Sequence, residues 1–259
     1  MPPTISIVIT VYNRSRYLNA AIESVLQQTR HDFELIIWDD GSTDNSVDIA
    51  RHYAKQDRRV RVVAAEHQGA TRSLKDAFSM TTGTYVGWVD SDDILAPTAL
   101  LETAAVLDAN PEIGLVYTDY IVIDENNKVI ASGKRCKIPY CKDRILVDFM
   151  TFHFRLIRRS VFEQAGGIDE SCQLVQDYDI CLRLSEVTQV QHLQQPLYYY
   201  RQHPQSITHQ HTLELILSSK DAIARALQRR GLAERYEIKV EIVGHYYLQR
   251  KNINDCANG

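Results

Sequence analysis

The sequence predicts an α/β fold built on a mainly parallel sheet, and three observations predict it. Short β-branched runs alternate with segments of helical period. Polar loops rich in Asp and Ser follow those runs. An apolar share of 44% over 259 residues is enough for a sizeable core.

Ile5 to Val11 is a β-branched run and reads as a strand. Tyr17, Leu18, Ala21, Ile22, Val25 and Leu26 recur at helical spacing, and Phe33 to Trp38 is a second apolar run. Asp44 can cap a helix carrying Val47, Ala50 and Tyr53; a strand at Val60 to Val63, a helix through Leu74 and Phe78 and a strand ending at Asp90 follow. This alternation predicts parallel strands with helices on both faces. Beyond Asp93 the pattern loosens. Pro97 to Leu107 reads as a helix and Gly114 to Ile123 as a strand, with Asp124-Glu125-Asn126-Asn127 turning back through Val129 and Ile130 as a small antiparallel insertion. Arg158 to Ala165 reads as a helix stopped by Gly166-Gly167, and Asp177 to Glu186 as another. Leu213 to Arg250 carries two amphipathic patterns split near Gly231.

With 29 basic and 33 acidic residues the formal charge is −4, which gives no general attraction to nucleic acid or an anionic membrane. No apolar stretch approaches the roughly 20 residues that span a bilayer, and the N-terminus lacks the order of a secretory signal. A cytoplasmic protein is expected. Cys136, Cys141, Cys172, Cys181 and Cys256 are odd in number, scattered and without a CxxC pair, which fits reduced thiols and no zinc site.

The chemistry gathers where the runs end. Asp90-Ser91-Asp92-Asp93 directly follows Tyr85-Val86-Gly87-Trp88-Val89. Its carboxylates therefore stand at the carboxyl end of a strand, where open α/β sheets bind ligands and where hard oxygens suit Mg²⁺ or Mn²⁺. A solvated turn before a helix opened near Pro97 is the plain alternative. Thr10-Val11-Tyr12-Asn13-Arg14 and Asp39-Asp40-Gly41-Ser42-Thr43-Asp44 follow the first two strands, so three polar loops share one edge. A carboxylate there can accept the imide N–H of uracil or a ribose hydroxyl, Tyr12 can stack on a base, and helix N-termini can face phosphate. For the Asp39-Asp40 loop, a plain strand-to-helix turn accounts for the residues equally well. Neither GxGxxG after the first strand nor GxxxxGK[ST] occurs, so a nucleotide would be held by acids and a metal.

Taken in order, Ser6-Ile7-Val8-Ile9-Thr10-Val11-Tyr12-Asn13-Arg14, Trp38-Asp39-Asp40-Gly41-Ser42-Thr43-Asp44, Gly83 to Asp93, Gln176-Asp177-Tyr178-Asp179 and Tyr199-Tyr200-Arg201-Gln202-His203 resemble the family 2 glycosyltransferases, over roughly the first 210 residues. The resemblance implies the GT-A fold, with a catalytic domain at 1–210 (nucleotide-binding half 1–93, acceptor half 94–210) and a C-terminal helical extension at 211–259. It implies inverting, metal-dependent transfer from a nucleotide-diphosphate sugar to a hydroxyl of a saccharide or lipid-linked acceptor, in the cytoplasm or at the inner face of the membrane. Uridine sugars are the commonest donors in the family; thymidine and guanosine sugars stay open.

By position, the resemblance puts Thr10, Tyr12, Asp39 and Asp40 around the nucleobase and ribose, and Asp90 with Ser91 at the ribose or donor sugar. Asp92 would ligate the Mn²⁺ or Mg²⁺ that bridges the diphosphate, with His203 as a further metal or diphosphate contact. Asp177 would be the catalytic base; a helix cap is its plainer role, and Asp179 competes with it. Arg72 or Lys75 would contact the diphosphate or lie on a solvated helix face. His209 and His211 are expected to be exposed at a helix start. Gln176 stands where many members carry an acid. Trp88, Tyr117, Asp119, Tyr140, Phe152, His153 and Phe154 could meet acceptor sugars or belong to the core. Arg225, Arg229, Arg230 and Arg235 form a solvated face or touch a membrane. Two other readings are a non-catalytic nucleotide-sugar or glycan-binding module, hinted at by Gln176, and a sugar nucleotidyltransferase, which the absence of a glycine-rich basic N-terminal loop disfavours.

Overall fold

Side chains of a strand alternate between its two faces, and the first strand serves a core on each. In β1 (Ile5–Val11), Ile5, Ile7, Ile9 and Val11 enter one buried cluster and Val8 enters the other. The structure, a computed structural model, describes residues 3–206 and 211–242. β1 pairs in parallel with β2 (Phe33–Asp39) and β4 (Tyr85–Trp88), and β2 with β3 (Val60–Ala64). The crossovers α1 (Ser15–Leu26), α2 (Ser46–Gln56) and α3 (Ala70–Ser79) follow the strand–helix alternation that the apolar spacing predicts. α1, α2 and α4 (Ala99–Ala109) cover the first core. α3, α5 (Arg159–Gln164), α6 (Gln176–Val187) and α7 (Thr212–Arg229) cover the second.

Past β4 the sheet turns mixed. β8 (Arg155–Arg158) runs antiparallel between β4 and β6 (Ile113–Ile123), β9 (Gln189–Arg201) runs parallel to β6, and β5 (Ile94–Leu95) closes the edge against β9. The order is β3-β2-β1-β4-β8-β6-β9-β5, with β7 (Val129–Ser132) returning from β6 as the expected hairpin.

Three strands and two ends differ from the sequence reading. β5 is two residues long, β8 has Arg at both ends, and β9 is rich in Gln and interrupted by Pro196, so none carries a strand's apolar alternation. Asp44 is not the N-cap of α2, a position taken by Asn45. Its carboxylate accepts the N–H of Ser46 at 2.9 Å and that of Ser15 at 3.0 Å, joining the starts of α2 and α1. After Gly231 the second amphipathic pattern forms no helix as far as Ile242, and its remainder lies outside the described residues, as do His209 and Cys256.

The junction of the two sheet halves rests on a glycine. A Cβ on Gly87 of β4 would meet the carbonyl oxygen of Arg155 in β8 at 2.7 Å and the Phe154 ring at 3.2 Å. Gly87→Ala therefore forces β8 away and is expected to destabilise the protein by about 1–3 kcal/mol, read as a lowered midpoint in urea unfolding.

Candidate active site

A cavity of about 1450 Å³ opens at the carboxyl ends of β1, β2 and β4. Thr10 and Tyr12 line it from β1 and the loop beyond. Asp40 reaches it from the loop after β2, Asp90, Ser91 and Asp92 from the loop after β4, and Asp177 from the first turn of α6. The fold thus brings most of the predicted residues to one place.

The two aspartates after β2 have different surroundings. Asp40 is buried, and its carboxylate accepts the N–H of Gln68 (2.8 Å), the hydroxyl of Ser73 (2.7 Å) and the N–H of Gly69 (3.0 Å), with His67 Nδ1 2.9 Å away. It pins the turn that starts α3, and its own chain occupies its acceptor sites. Asp39 Oδ1 accepts the Ser42 N–H at 3.0 Å, while its buried Oδ2 has no partner among the described residues. Beside them the Tyr12 ring stacks on His67, centroids 4.1 Å apart.

The carboxylates after β4 are crowded, and their proton affinities diverge accordingly. Burial, followed by the nearby Asp92 charge, pushes the Asp90 carboxyl up to about 7. Burial and the Asp92 and Asp90 charges push Asp93 well above the usual carboxylate range. Burial would also raise Asp92, but the His203 hydrogen bond and the Arg14 charge outweigh it and hold Asp92 below that range. Arg14 Nε stands 3.4 Å from Asp92 Oδ2, and His203 Nε2 stands 2.9 Å from the same oxygen.

Two histidines border these acids, and the far side of each ring decides what it can do. The ligand atoms of Asp90, Asp93 and His153 lie within 4.8 Å of one another, a grouping with room for a cation. His153 Nδ1, however, is 3.3 Å from Arg155 Nη2, which can only donate. Burial, with the Arg155 and Arg135 charges, depresses the His153 pKa well below its ordinary value. The neutral ring therefore carries its proton on Nε2, facing Asp90, and has no lone pair there for a metal. His203 Nε2–H donates to Asp92 in this structure, but Nδ1 is buried and has no partner among the described residues, so the proton can move to Nδ1 and free the Nε2 lone pair for an ion. Its 2.9 Å spacing from Asp92 Oδ2 suits neighbouring ligands of an octahedral ion bound at about 2.0–2.1 Å. Asp92 and His203 are thus the pair that fits Mn²⁺ or Mg²⁺.

Asp177 and Asp179 part company on α6. Asp177 faces the cavity and accepts the Tyr178 N–H at 2.8 Å, whereas Asp179 is buried in an ion pair with Arg183 at 2.7 Å. Arg72 does not fit a diphosphate contact. Gly69, Ala70, Ser73 and Leu74 take the cavity face of α3, leaving Arg72 and Lys75 on its outer side in ion pairs with Glu170 at 3.1 and 2.6 Å. Arg225 and Arg230 are half-buried and Arg229 exposed, bonded within the chain to Cys172, the Lys142 carbonyl and Glu186 respectively. Tyr117 and Phe154 are fully buried, whereas Phe149, Phe152 and Tyr200 line the cavity. Sequence reasoning missed Arg155, which lies within a polar-ended strand; its signals were Gly87, marking a close backbone approach, and the adjacent aromatics.

Two outcomes follow. Asp40→Ala orphans the Gln68 and Gly69 N–H groups and the Ser73 hydroxyl, at about 1–3 kcal/mol for each group left unsatisfied; a lowered thermal midpoint checks this. Asp90 and Asp93 have raised folded-state pKa values, so the stability they lend is full below the unfolded carboxylate range and is lost as pH rises through the folded values. The metal-free protein should therefore lose thermal stability as pH rises from about 4 through about 7. Asp90→Asn should flatten that slope.

The model of Glycosyl transferase family 2 matches residues 6–166. The chain is 32% identical over 196 residues to chondroitin synthase of Escherichia coli, covering 76% of this chain and 28% of that protein. It spans 16–28% of the length of this and two other curated relatives that it matches. Staphylococcus aureus TarS in complex with UDP-GlcNAc superposes with a TM-score of 0.72 at 18% identity, over 88% of this chain and 66% of that one. The mannosyltransferase PcManGT of Pyrobaculum calidifontis, in complex with GDP-Man and Mn²⁺, does so with a TM-score of 0.62 at 16% identity, over 89% and 64%. Among the described residues, no helix is long and apolar enough to cross a membrane. With the sheet order above, these likenesses make the fold GT-A, and the chain belongs to glycosyl transferase family 2.

Proposed function

We propose that this chain transfers a sugar from a nucleotide-diphosphate sugar, a uridine sugar by preference, to a hydroxyl of a saccharide or lipid-linked acceptor, inverting the anomeric carbon with the help of Mn²⁺ or Mg²⁺. The observation that carries the reading is that Asp177 lines one cavity with Asp90 and Asp92, near enough for the Asp177 charge to act on Asp90. Support for the donor comes from UDP-GlcNAc in the TarS structure, the better of the two superpositions, and for a saccharide acceptor from the synthase relative. Residues 1–210 carry the reaction. Its setting is the cytoplasm, at the inner membrane face when the acceptor is lipid-linked.

Each residue's part follows from its chemistry. Asp39 Oδ2, the spare buried acceptor, takes a donor from the nucleobase or ribose, and Tyr12, backed by His67, offers a ring to the base. Asp40 and Arg72 have no ligand contact in this reading; Asp40 shapes the wall. Thr10 and Ser91 flank the nucleoside, and Asp90 accepts a ribose or sugar hydroxyl. Asp92 and His203 would hold the divalent cation, which as a Lewis acid neutralises the leaving diphosphate. Asp177 accepts the proton of the acceptor hydroxyl as its oxygen attacks the face opposite the diphosphate, a step worth about 10²–10⁴-fold. Phe149, Phe152 and Tyr200 form an aromatic wall for acceptor rings. The cavity exceeds the roughly 300–1,000 Å³ of single-ligand sites, which accommodates donor and acceptor together.

The test is nucleoside diphosphate release from a panel of nucleotide sugars with Mn²⁺ and then with EDTA. One donor should be cleaved, and chelation and Asp92→Asn should each remove the activity. With an acceptor, Asp177→Asn should lower transfer by about 10²–10⁴-fold while leaving donor binding intact. Cleavage indifferent to EDTA and Asp92→Asn, or pyrophosphate release from a nucleoside triphosphate, would sink the reading.

A further inference from the structure

Arg155 is the bulkiest fully buried side chain among the described residues, at 1% exposure. A guanidinium out of water needs compensation, yet no carboxylate meets it in a close bidentate pair. Its Nη1 donates to the Thr151 carbonyl at 3.1 Å, its Nη2 donates to His153 Nδ1 at 3.3 Å, and its carbon sits 4.4 Å over the Trp88 ring. Among the described residues, the one carboxylate within 4.0 Å is Asp177, whose Oδ2 is 3.6 Å from Nη1. His153 Nε2 in turn lies 3.6 Å from Asp90 Oδ2. A line of contacts, buried at Arg155 and His153 and open to the cavity at its ends, therefore runs from Asp177 to Asp90, from the carboxylate that would meet the acceptor to the one that would meet the donor.

We propose that Arg155 is a positioning residue for Asp177, with its guanidinium fork aimed by His153 on one side and by the Thr151 carbonyl on the other. The proposal rests on the reading of Asp177 as the base. Asp177 makes a hydrogen bond to its neighbour's N–H through Oδ1 alone, so Oδ2, the oxygen left for an acceptor hydroxyl, takes its direction from Arg155. The planar fork reaches the carbonyl and the imidazole at once and leaves Nη1 facing the carboxylate, which a single ammonium cannot do. Trp88 seats the group from below and is joined through Val89 to Asp90, so the same side chain registers both halves of the site.

Arg155→Lys keeps the charge and loses the fork. The expected result is a kcat for transfer lowered about 10–100-fold, the cost of a misplaced reacting group, with donor KM and calorimetric donor affinity within about twofold. In an Asp177→Asn background the same change should have no further effect on single-turnover rate, since the two act as a unit. His153→Gln, which retains an acceptor for Nη2, should keep most of kcat, and His153→Leu should lose it; this pair carries the test if Arg155→Lys does not fold. Wild-type kcat in Arg155→Lys, equal losses in both Asp177 backgrounds, or His153→Gln and His153→Leu behaving alike would overturn the proposal. Asp177→Asn with undiminished transfer would instead overturn the base assignment on which it rests.

Discussion

Holding Asp90, Asp92 and Asp177 on one cavity, with Asp93 buried beside them, is the constraint on which the rest of this structure depends. Buried carboxylates that lack partners cost several kcal/mol each or give up their charge. Arginines from three separate elements answer them: Arg14 from the loop after β1, Arg155 from β8 and Arg201 from β9. Arg201 gives its backbone N–H to Asp93 Oδ1 at 2.7 Å and its Nε–H to the Asp92 carbonyl at 2.6 Å, so β9 fixes the loop as well as closing the sheet. The parallel strands gather the acids; the later strands make it tolerable to keep them together.

The same economy governs the histidines. His153 and His203 each border an aspartate of the loop after β4, in comparable burial. A guanidinium behind one ring holds its proton toward Asp90, and an unpartnered nitrogen behind the other gives its proton somewhere else to go, so that ring can turn from donor to ligand. What a residue can do in such a site is decided by the group behind it, which sequence spacing does not report.

That is also the boundary of what was legible in the sequence. β1 to β4 and α1 to α3 announce themselves because each strand sends apolar side chains into a core and each helix carries one apolar face. The convergence of Thr10, Tyr12, Asp40 and Asp90 follows from strand ends alone, whereas Asp177, in the first turn of α6, was expected there only from the family resemblance. β8 and β9 were hidden because the two apolar residues of β8, Leu156 and Ile157, are flanked by arginines and the first half of β9 is polar and largely exposed. The split between Asp39 and Asp40 was equally invisible, for it depends on which oxygen meets the turn at 67–69. Arg72 was misplaced for a simpler reason: one position along a helix is about a quarter turn.

The long reach of β9 back to the loop after β4 bears on how the protein is made. The bonds from Arg201 to Asp93 and from His203 to Asp92 join residues 108 and 111 apart in the chain. At a synthesis rate of about 5–20 residues per second, the acidic loop leaves the ribosome some 5–20 seconds before its last counter-groups. For that interval the nascent N-terminal half, with its local strand–helix–strand contacts, has a cluster of acids at its edge answered, of the three arginines, by Arg14 alone. Keeping that edge hydrated until β9 arrives works against premature burial of the same loop.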